Sequence, residues 1–501
     1  MPLELSFNQL DEAVREAGPS ARPLCVAFDG TVITTRVLSE RMALLFRRRP
    51  WAALALPVWM LGGRDRLRAR LAAMTKLDAT SLPYRAPLIN ALKLSRASGR
   101  RVVLATATDL ETAEEVAEYL GVFDEVCAAT STAGRPKVKA RNLREALQSA
   151  YPDGFDFIGQ SHVDLPILEV AERGFIVGAS PSTAQAAKRL QRVTVVSRRP
   201  SILLALVKEL RPHQWAKNAL VLLPCLLANN VAVFSMFARG AVAAATFSLC
   251  ASAGYVFNDL LDLEADRIHP SKAKRPFASG ALPIIFGFPL FIALLAMSFL
   301  LATAFLPVAF SAMLLAYFVG TVSYSLYLKR LLMLDVLVLA ALYTHRIVSG
   351  GIATAVPVSA WLLGFSMFFF TSLAFAKRFV ELHALDSNEK VKNRGYFRVD
   401  LPMVTAMGTA SGYIAALVFM LYVESSAVRV QYREPAVLWL VLPALLYWLG
   451  RIWLLAGRGQ MQEDPVKFAL RDRQSLVCVA IVALIAALAR FTPDWLIGAL
   501  H

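Results

Sequence analysis

AVAAATFSLCASAGYVFNDLLDLEADRIHPSKAKR (241–275) starts as an apolar run and ends in a dense cluster of carboxylates and cations. The run is long enough for an α-helix to cross a hydrocarbon core of about 30 Å, so the acidic end is expected at a membrane surface. Working outward, apolar runs of similar length recur at near 30-residue spacing. Nine spans are expected at roughly 214–234, 238–260, 283–303, 307–328, 332–352, 358–378, 402–423, 436–456 and 474–496. The composition agrees: of 501 residues 56% are hydrophobic and only 18% charged, against about 25% charged in average chains. Disorder, collagen and coiled coil are excluded on the same grounds. Cys25, Cys127, Cys225, Cys250 and Cys478 are scattered without a C-x-x-C pair, which supports neither a zinc site nor a disulfide framework.

The chain holds 53 Lys and Arg against 37 Asp and Glu, a formal net charge of +16. These cations are unevenly placed. Loops after the even-numbered spans hold seventeen of them, and the opposite face has four, Arg239, Arg429, Arg433 and Arg490. The positive-inside rule then sets the N-terminus in the cytoplasm and the C-terminus outside. Residues 1–22 lack the basic start and apolar run of a signal peptide, which fits an N-terminus that stays inside.

Up to about residue 195 the pattern differs. Short apolar stretches, PLCVAFDG (23–30), RRVVLATA (100–107), FDEVCAAT (123–130), FDFIGQS (155–161) and GFIVGAS (174–180), alternate with amphipathic ones such as LETAEEVAEYL (110–120). That alternation implies a parallel sheet covered by helices. The expected organisation is an α/β domain over 1–195, joined at the basic hinge VVSRRP (195–200) to an all-α membrane bundle over 196–501. Inside the α/β half, PWAALALPVWMLGG (50–63) is too short to span and is bracketed by arginines on both sides. A core helix would give the same apolar run, but the flanking cations point to attachment at an anionic lipid surface.

The acidic end carries the chemistry. Asn258, Asp262 and Asp266 recur every four residues, which stacks them on one helical face. With Asp259 they form a set of oxygen donors whose mutual repulsion calls for a cation, and oxygen ligands select a hard ion such as Mg²⁺, which in turn holds a diphosphate. A solvated helix end is the bland alternative. The cations that follow, Arg267, Lys272, Lys274 and Arg275, suit phosphate oxygens. Arg346 lies inside an otherwise apolar span and reads as functional, with snorkelling or a structural ion pair as the alternative. Lys217, Lys329, Lys377 and Arg378 lie at cytoplasmic span ends, where phosphate binding and topology both favour a cation. His213, His345 and His383 are isolated, and none is assigned to metal.

N-x-x-x-D-x-x-x-D at the end of the second span resembles the UbiA superfamily of intramembrane transferases. Within it, the longer string from Asn258 to Lys272, followed by Arg275 and Pro276, is similar to the bacterial decaprenyl-phosphate phosphoribosyltransferases. RPHQWAKN (211–218), LYTHRIVSGGIAT (342–354), AKRFVELH (376–383) and EDPVKFALRDR (463–473) extend that resemblance over nearly the whole membrane half. The second D-x-x-x-D usual in aromatic prenyltransferases is missing from the later loops, which hold Lys329, Arg330, Lys377, Arg378 and Glu381 instead. The resemblance implies a Mg²⁺-dependent enzyme of a bacterial inner membrane that moves 5-phosphoribose from phosphoribosyl diphosphate to a polyprenyl phosphate and releases diphosphate. Catalytic roles fall to Asn258, Asp259, Asp262 and Asp266, with Asn258, Asp262 and Asp266 on the metal. Phosphate contacts fall to Lys217, Arg267, Lys272, Arg275, Lys329, Arg346, Lys377 and Arg378. No nucleic-acid partner is implied. Two other readings stay open: a UbiA-type prenyltransferase using an isoprenyl diphosphate and another acceptor, and a lipid-phosphate carrier or membrane scaffold.

FDGT (28–31) resembles the first motif, D-x-D-G-T, of the haloacid dehalogenase-like phosphatases, with Ala27 where the first Asp belongs and Asp29 in place of the second. Thr106 and Lys137 resemble the second and third motifs. In the fourth, GQSHVD, Gln160 replaces one acidic ligand and Asp164 remains. In that family the first Asp is nucleophile and metal ligand, and alanine serves as neither. The resemblance therefore implies a parallel sheet with a helical cap at residues ~33–90 and a pseudophosphatase or regulatory role.

Overall fold

A computed structural model describes residues 10, 22–48, 52, 55–107, 109–129, 136–197, 200–228, 234–269, 271–385, 394–461 and 464–491. The chain divides into two compact units: Met1–Leu210 with Tyr255–Phe291, and Arg211–Gly254 with Ile292–His501.

The first unit contains strands β1 (Leu24–Ala27), β2 (Val102–Thr106), β3 (Glu125–Ala128), β4 (Asp156–Gly159), β5 (Gly174–Ile176) and β6 (Val193–Val195). All pair in parallel, in the order β3-β2-β1-β4-β5-β6. Successive strand residues face opposite ways, so Leu24, Val26, Val102 and Leu104 enter one core while Cys25, Ala27, Val103 and Ala105 enter the other. This is why the strands read as continuous apolar runs rather than alternating ones. Strand order reverses at β1, and such switch points open a crevice beyond the carboxyl ends of the strands. Ala27 ends β1, Thr106 ends β2 and Gln160 follows β4, so the sheet gathers three of the four motif segments at that edge.

Between β1 and β2 the expected cap is helical, with Val37–Arg48, Leu56–Leu61 and Arg64–Met74. Of the proposed interfacial stretch, Leu56–Leu61 is a short helix on which Val58 and Leu61 are exposed, while the Arg70 guanidinium lies 5.7 Å from the Trp59 ring centre. Residues 49–51, 53 and 54 of this region lie outside the described ones, as does most of 1–22.

Among the described residues eight helices are long and apolar enough to cross a membrane: Phe234–Leu261, Ile284–Phe305, Val308–Leu326, Leu334–Thr354, Ala360–His383, Arg398–Glu424, Pro435–Gly457 and Arg473–Phe491. The first of the nine expected spans, 214–234, is not among them. It is broken into Pro212–Trp215, Ala216–Leu222 and Leu223–Leu227, because Pro224 offers no N–H to the helical ladder; residues 229–233 lie outside the described ones. The broken segment packs backbone to backbone on its neighbour: a Cβ added at Gly350 would fall 2.0 Å from the Val221 carbonyl oxygen. The G-G of SGGIAT therefore marks a close helix approach, the use membrane bundles make of small residues.

Candidate functional site

In the first unit, the Phe234–Leu261 helix gives way at Asp262 and a short helix, Leu263–Ile268, follows. Asp262 N–H still bonds to the Asn258 carbonyl at 2.8 Å and Asp266 N–H to the Asp262 carbonyl at 2.8 Å, so the four-residue stacking survives the break. Asp259 and Asp266 are buried, Asn258 and Asp262 half-buried. Arg275 joins the two buried carboxylates, with one guanidinium nitrogen 3.0 Å from Asp259 Oδ1 and 2.5 Å from Asp266 Oδ2. Lys272 Nζ stands 4.0 Å from Asp266 Oδ1. Burial pushes the Asp266 carboxyl above the ordinary carboxylate range, opposed by Arg275.

A divalent ion is tested by these donors. All four side chains offer oxygen, the chemistry Mg²⁺ prefers, and two of them already share a positive charge. Among the described residues no three carboxylate, histidine or cysteine side chains converge closely enough to form a ready-made metal cage; the Arg275 guanidinium lies between two of the carboxylates instead. The donor set fits the ion in type.

Arg267 is engaged elsewhere. Its two terminal nitrogens reach Glu40 Oε2 at 2.9 Å and Oε1 at 2.7 Å, in a buried pair.

In the second unit the expected phosphate-binding cations fall into four settings. Lys217 Nζ donates to Asp464 Oδ2 at 2.6 Å, and Lys377 Nζ lies 3.7 Å from the same oxygen. Burial alone would raise the Asp464 carboxyl, but the two ammonium groups outweigh it and hold the acid well below the usual range. Arg378 is buried against Asp335, its Nε 3.0 Å from Oδ2 but not aimed for a hydrogen bond. Tyr396 donates to Asp335 Oδ1 at 2.8 Å, and Arg394 stands 3.6 Å from Oδ2. Arg378 and Arg394 also pair with Glu381. Arg346 donates to Asn218 Oδ1 at 3.0 Å, the Leu342 carbonyl at 2.6 Å and Tyr317 Oη at 2.8 Å, and lies over the Tyr317 and Tyr343 rings. Among the described residues its charge is thus met by neutral acceptors and aromatic faces rather than by an ion pair. Lys329 is half-buried in the Leu328–Arg330 turn. His345 donates to the Met313 carbonyl at 2.9 Å and His383 stacks on Phe379.

The α/β sheet has a cavity of about 970 Å³ in the first unit, with Asp29, Lys139 and Gln160 in its wall. Ala27 is buried at its end of β1. Asp29 Oδ1 accepts from Val37 N–H at 2.9 Å. The Gln160 amide leans on Gly30, where an added Cβ would meet Oε1 at 2.0 Å. Asp164 Oδ2 accepts from Gln160 N–H at 3.0 Å, Ser161 N–H at 2.8 Å and Ser161 Oγ at 3.1 Å, so the remaining acid of that motif serves as a turn cap; burial nonetheless raises its pKa. Thr106 is buried at the end of β2. Lys137 begins the Pro136–Ala150 helix, but its side chain lies outside the described ones; Lys139, two residues on, is the buried lysine of the cavity wall, 3.3 Å from Asp65 Oδ1.

A family model described as UbiA prenyltransferase matches residues 219–479. The chain belongs to the UbiA prenyltransferase family. It is a multi-pass membrane enzyme of that family, carrying an α/β domain ahead of it. An uncharacterized protein, y4nM, of Sinorhizobium fredii is 34% identical over 92% of this chain and 90% of its own length, a match that runs through both the α/β and UbiA parts. Nodulation protein NoeC of Azorhizobium caulinodans is 36% identical over 55% of this chain and 89% of its own. Decaprenyl-phosphate phosphoribosyltransferase of Mycobacterium tuberculosis is 30% identical over 59% of this chain and 98% of its own.

Three acidic partners of the UbiA part's cations were not singled out as site residues from sequence: Asp335, Asp464 and Glu381. Asp335 had a readable signal, a lone carboxylate opening an apolar span, since an ionisable group at membrane depth needs a partner.

Proposed function

We propose that this chain is a polyprenyl-phosphate phosphoribosyltransferase. It takes 5-phosphoribose from phosphoribosyl diphosphate, places it on a polyprenyl phosphate and releases diphosphate. The observation that carries the reading is the acidic motif, Asn258 to Asp266, braced by Arg275, while the sequence of the later loops carries Lys329, Arg330, Lys377 and Arg378 rather than a second D-x-x-x-D. Similarity to enzymes named decaprenyl-phosphate phosphoribosyltransferase supports the choice of substrates.

Asn258, Asp262 and Asp266 would hold Mg²⁺, which supplies charge stabilisation to a departing diphosphate. Asp259 and Arg275 orient that set, and Lys272 and Arg275 offer donors to phosphate oxygens. Lys217 and Lys377, held on Asp464, keep two cations in place for a phosphate group. The polyprenyl phosphate oxygen is itself the nucleophile and is ionised at neutral pH, so no side chain need form a covalent bond; alignment does the rest.

The proposed setting is a bacterial cytoplasmic membrane with the α/β domain on the cytoplasmic side. Cation placement supports this. So does the Arg267–Glu40 pair, which ties the α/β domain to the loop after Phe234–Leu261. Because that helix is proposed to start on the far side, the broken 212–227 segment is proposed to contribute to the remaining crossing.

Purified protein given labelled phosphoribosyl diphosphate, Mg²⁺ and polyprenyl phosphate should convert label into organic-extractable product. Product formed only from an isoprenyl diphosphate would instead establish a prenyltransferase.

The α/β domain is proposed to be a pseudophosphatase. With Ala27 at the nucleophile position and Asp164 committed to a turn, no Mg²⁺-dependent hydrolysis of phosphate esters is expected. Ala27→Asp alone should not restore it, and Ala27→Asp with Gln160→Asp is the minimum for rescue. Turnover by the unmodified protein that is lost on Asp29→Asn would overturn this.

A further inference from the structure

Between residue 34 and residue 81 the α/β domain carries a set of contacts to residues 257–288, within the same compact unit. Glu40, in the Val37–Arg48 helix, is 4% exposed and binds Arg267 through both carboxylate oxygens. Thr35 Oγ1 donates to Glu40 Oε1 at 2.5 Å, and the Ser81 carbonyl takes a further bond from Arg267 at 3.2 Å. About two turns along the same helix, Arg47 pairs with Glu264, and the Phe46 ring packs near-perpendicular to those of Phe257 and Phe288, with centroids 5.6 and 5.8 Å away. Gly280, at φ +74°, lets the loop beyond Arg275 lie against Thr34, where an added Cβ would come within 2.5 Å of Oγ1. All of these partners lie between residues 257 and 288, from just before the acidic motif to beyond it. Phe257 precedes Asn258, Glu264 and Arg267 bracket Asp266, and Gly280 follows Arg275.

We propose that Glu40 is a positioning residue for the acidic site: the α/β domain holds the Leu263–Ile268 helix, and with it Asp266, in place to receive the metal–diphosphate. This rests on the reading of Asn258 to Asp266 as a metal–diphosphate site. The helix needs such support. It has six residues, too few to be stable alone, and it starts at a bend where Asp262 leaves helical geometry (φ −93°, ψ 11°). A buried, two-point carboxylate–guanidinium pair fixes both distance and orientation. Groups that orient ligands from one shell out are worth about 10–100-fold in metal affinity. An inactive phosphatase-like domain thereby has a use that needs none of its lost chemistry.

The test uses the full chain in lipid nanodiscs, with Mn²⁺ and inorganic diphosphate as probe, followed by calorimetry, and with amide hydrogen exchange over residues 262–268. Glu40→Gln is expected to raise exchange in that stretch and to weaken Mn²⁺–diphosphate binding about tenfold. Exchanging the partners, Glu40→Arg with Arg267→Glu, is expected to recover part of both. If Glu40→Gln does not fold, Glu40→Asp, which keeps the charge and shortens the reach by one methylene, should give a smaller shift of the same sign. Faster exchange with unaltered affinity would make the pair merely structural and overturn the proposal, as would no change in either. Wild-type protein that fails to bind Mn²⁺–diphosphate at all would reject the acidic site itself, a result separable from both because it appears before any substitution is made.

Discussion

Asp266→Ala is expected to abolish phosphoribosyl transfer, with a loss of at least about a hundredfold per folded molecule. Electrostatic stabilisation of a leaving diphosphate is worth several kcal/mol, and each 1.4 kcal/mol is tenfold in rate. The substitution removes a proposed metal ligand and also takes from Arg275 its 2.5 Å partner, leaving that guanidinium on Asp259 alone. Asp262→Ala should act in the same way, and so should EDTA on the unmodified enzyme. The protein should remain folded, since Arg275 keeps one carboxylate and is itself a quarter exposed. Single-turnover rates normalised to correctly folded protein provide the check. A variant retaining more than a tenth of the rate would remove Asp266 from the metal.

Asp335→Asn should be the most damaging single change to stability. Its carboxylate is fully buried and faces Arg378 and Arg394, with Tyr396 donating to it. Neutralising it leaves two guanidiniums with only Glu381 between them, and breaking a buried pair from one side typically costs about 3–5 kcal/mol. Removing both partners should cost less, because no unpaired buried charge remains. The expected ordering of thermal midpoints is therefore wild type, then Asp335→Asn with Arg378→Met, then Asp335→Asn alone. If the double variant melts below the single, the charges are not what holds this part of the bundle.

Much of this architecture is written locally in the chain. Doubly buried strands such as LCVA and VVLAT and apolar runs of about twenty residues depend on periodicity and length alone, so sheet and membrane helices are both readable. The acidic string is readable for the same reason, since its members lie within one helical repeat. Long-range pairing is not. Nothing near Arg267 says that its partner lies at Glu40, and among so many cations Arg267 reads as one more phosphate ligand. Asp335 and Asp464 escaped for a related reason: each is paired through space with lysines and arginines from other helices, and a lone carboxylate in sequence shows only half of such a contact. The first expected span failed where a local signal, Pro224, was outweighed by the apolar count around it. Lys137 and Lys139 sit more than half a turn apart on one helix, and spacing from a motif does not say that Lys139 is buried.

The first compact unit is assembled from two stretches, residues up to Leu210 and residues Tyr255–Phe291, with the rest of a membrane helix between them. During synthesis the ribosome must add about 80 further residues after Leu210 before the last of its parts exists, roughly 4–16 s at 5–20 residues per second. The unit is therefore finished only after the Phe234–Leu261 helix has been made. Completion of the first unit thus waits on the synthesis of a membrane-capable helix, an order of events built into the thread of the polypeptide.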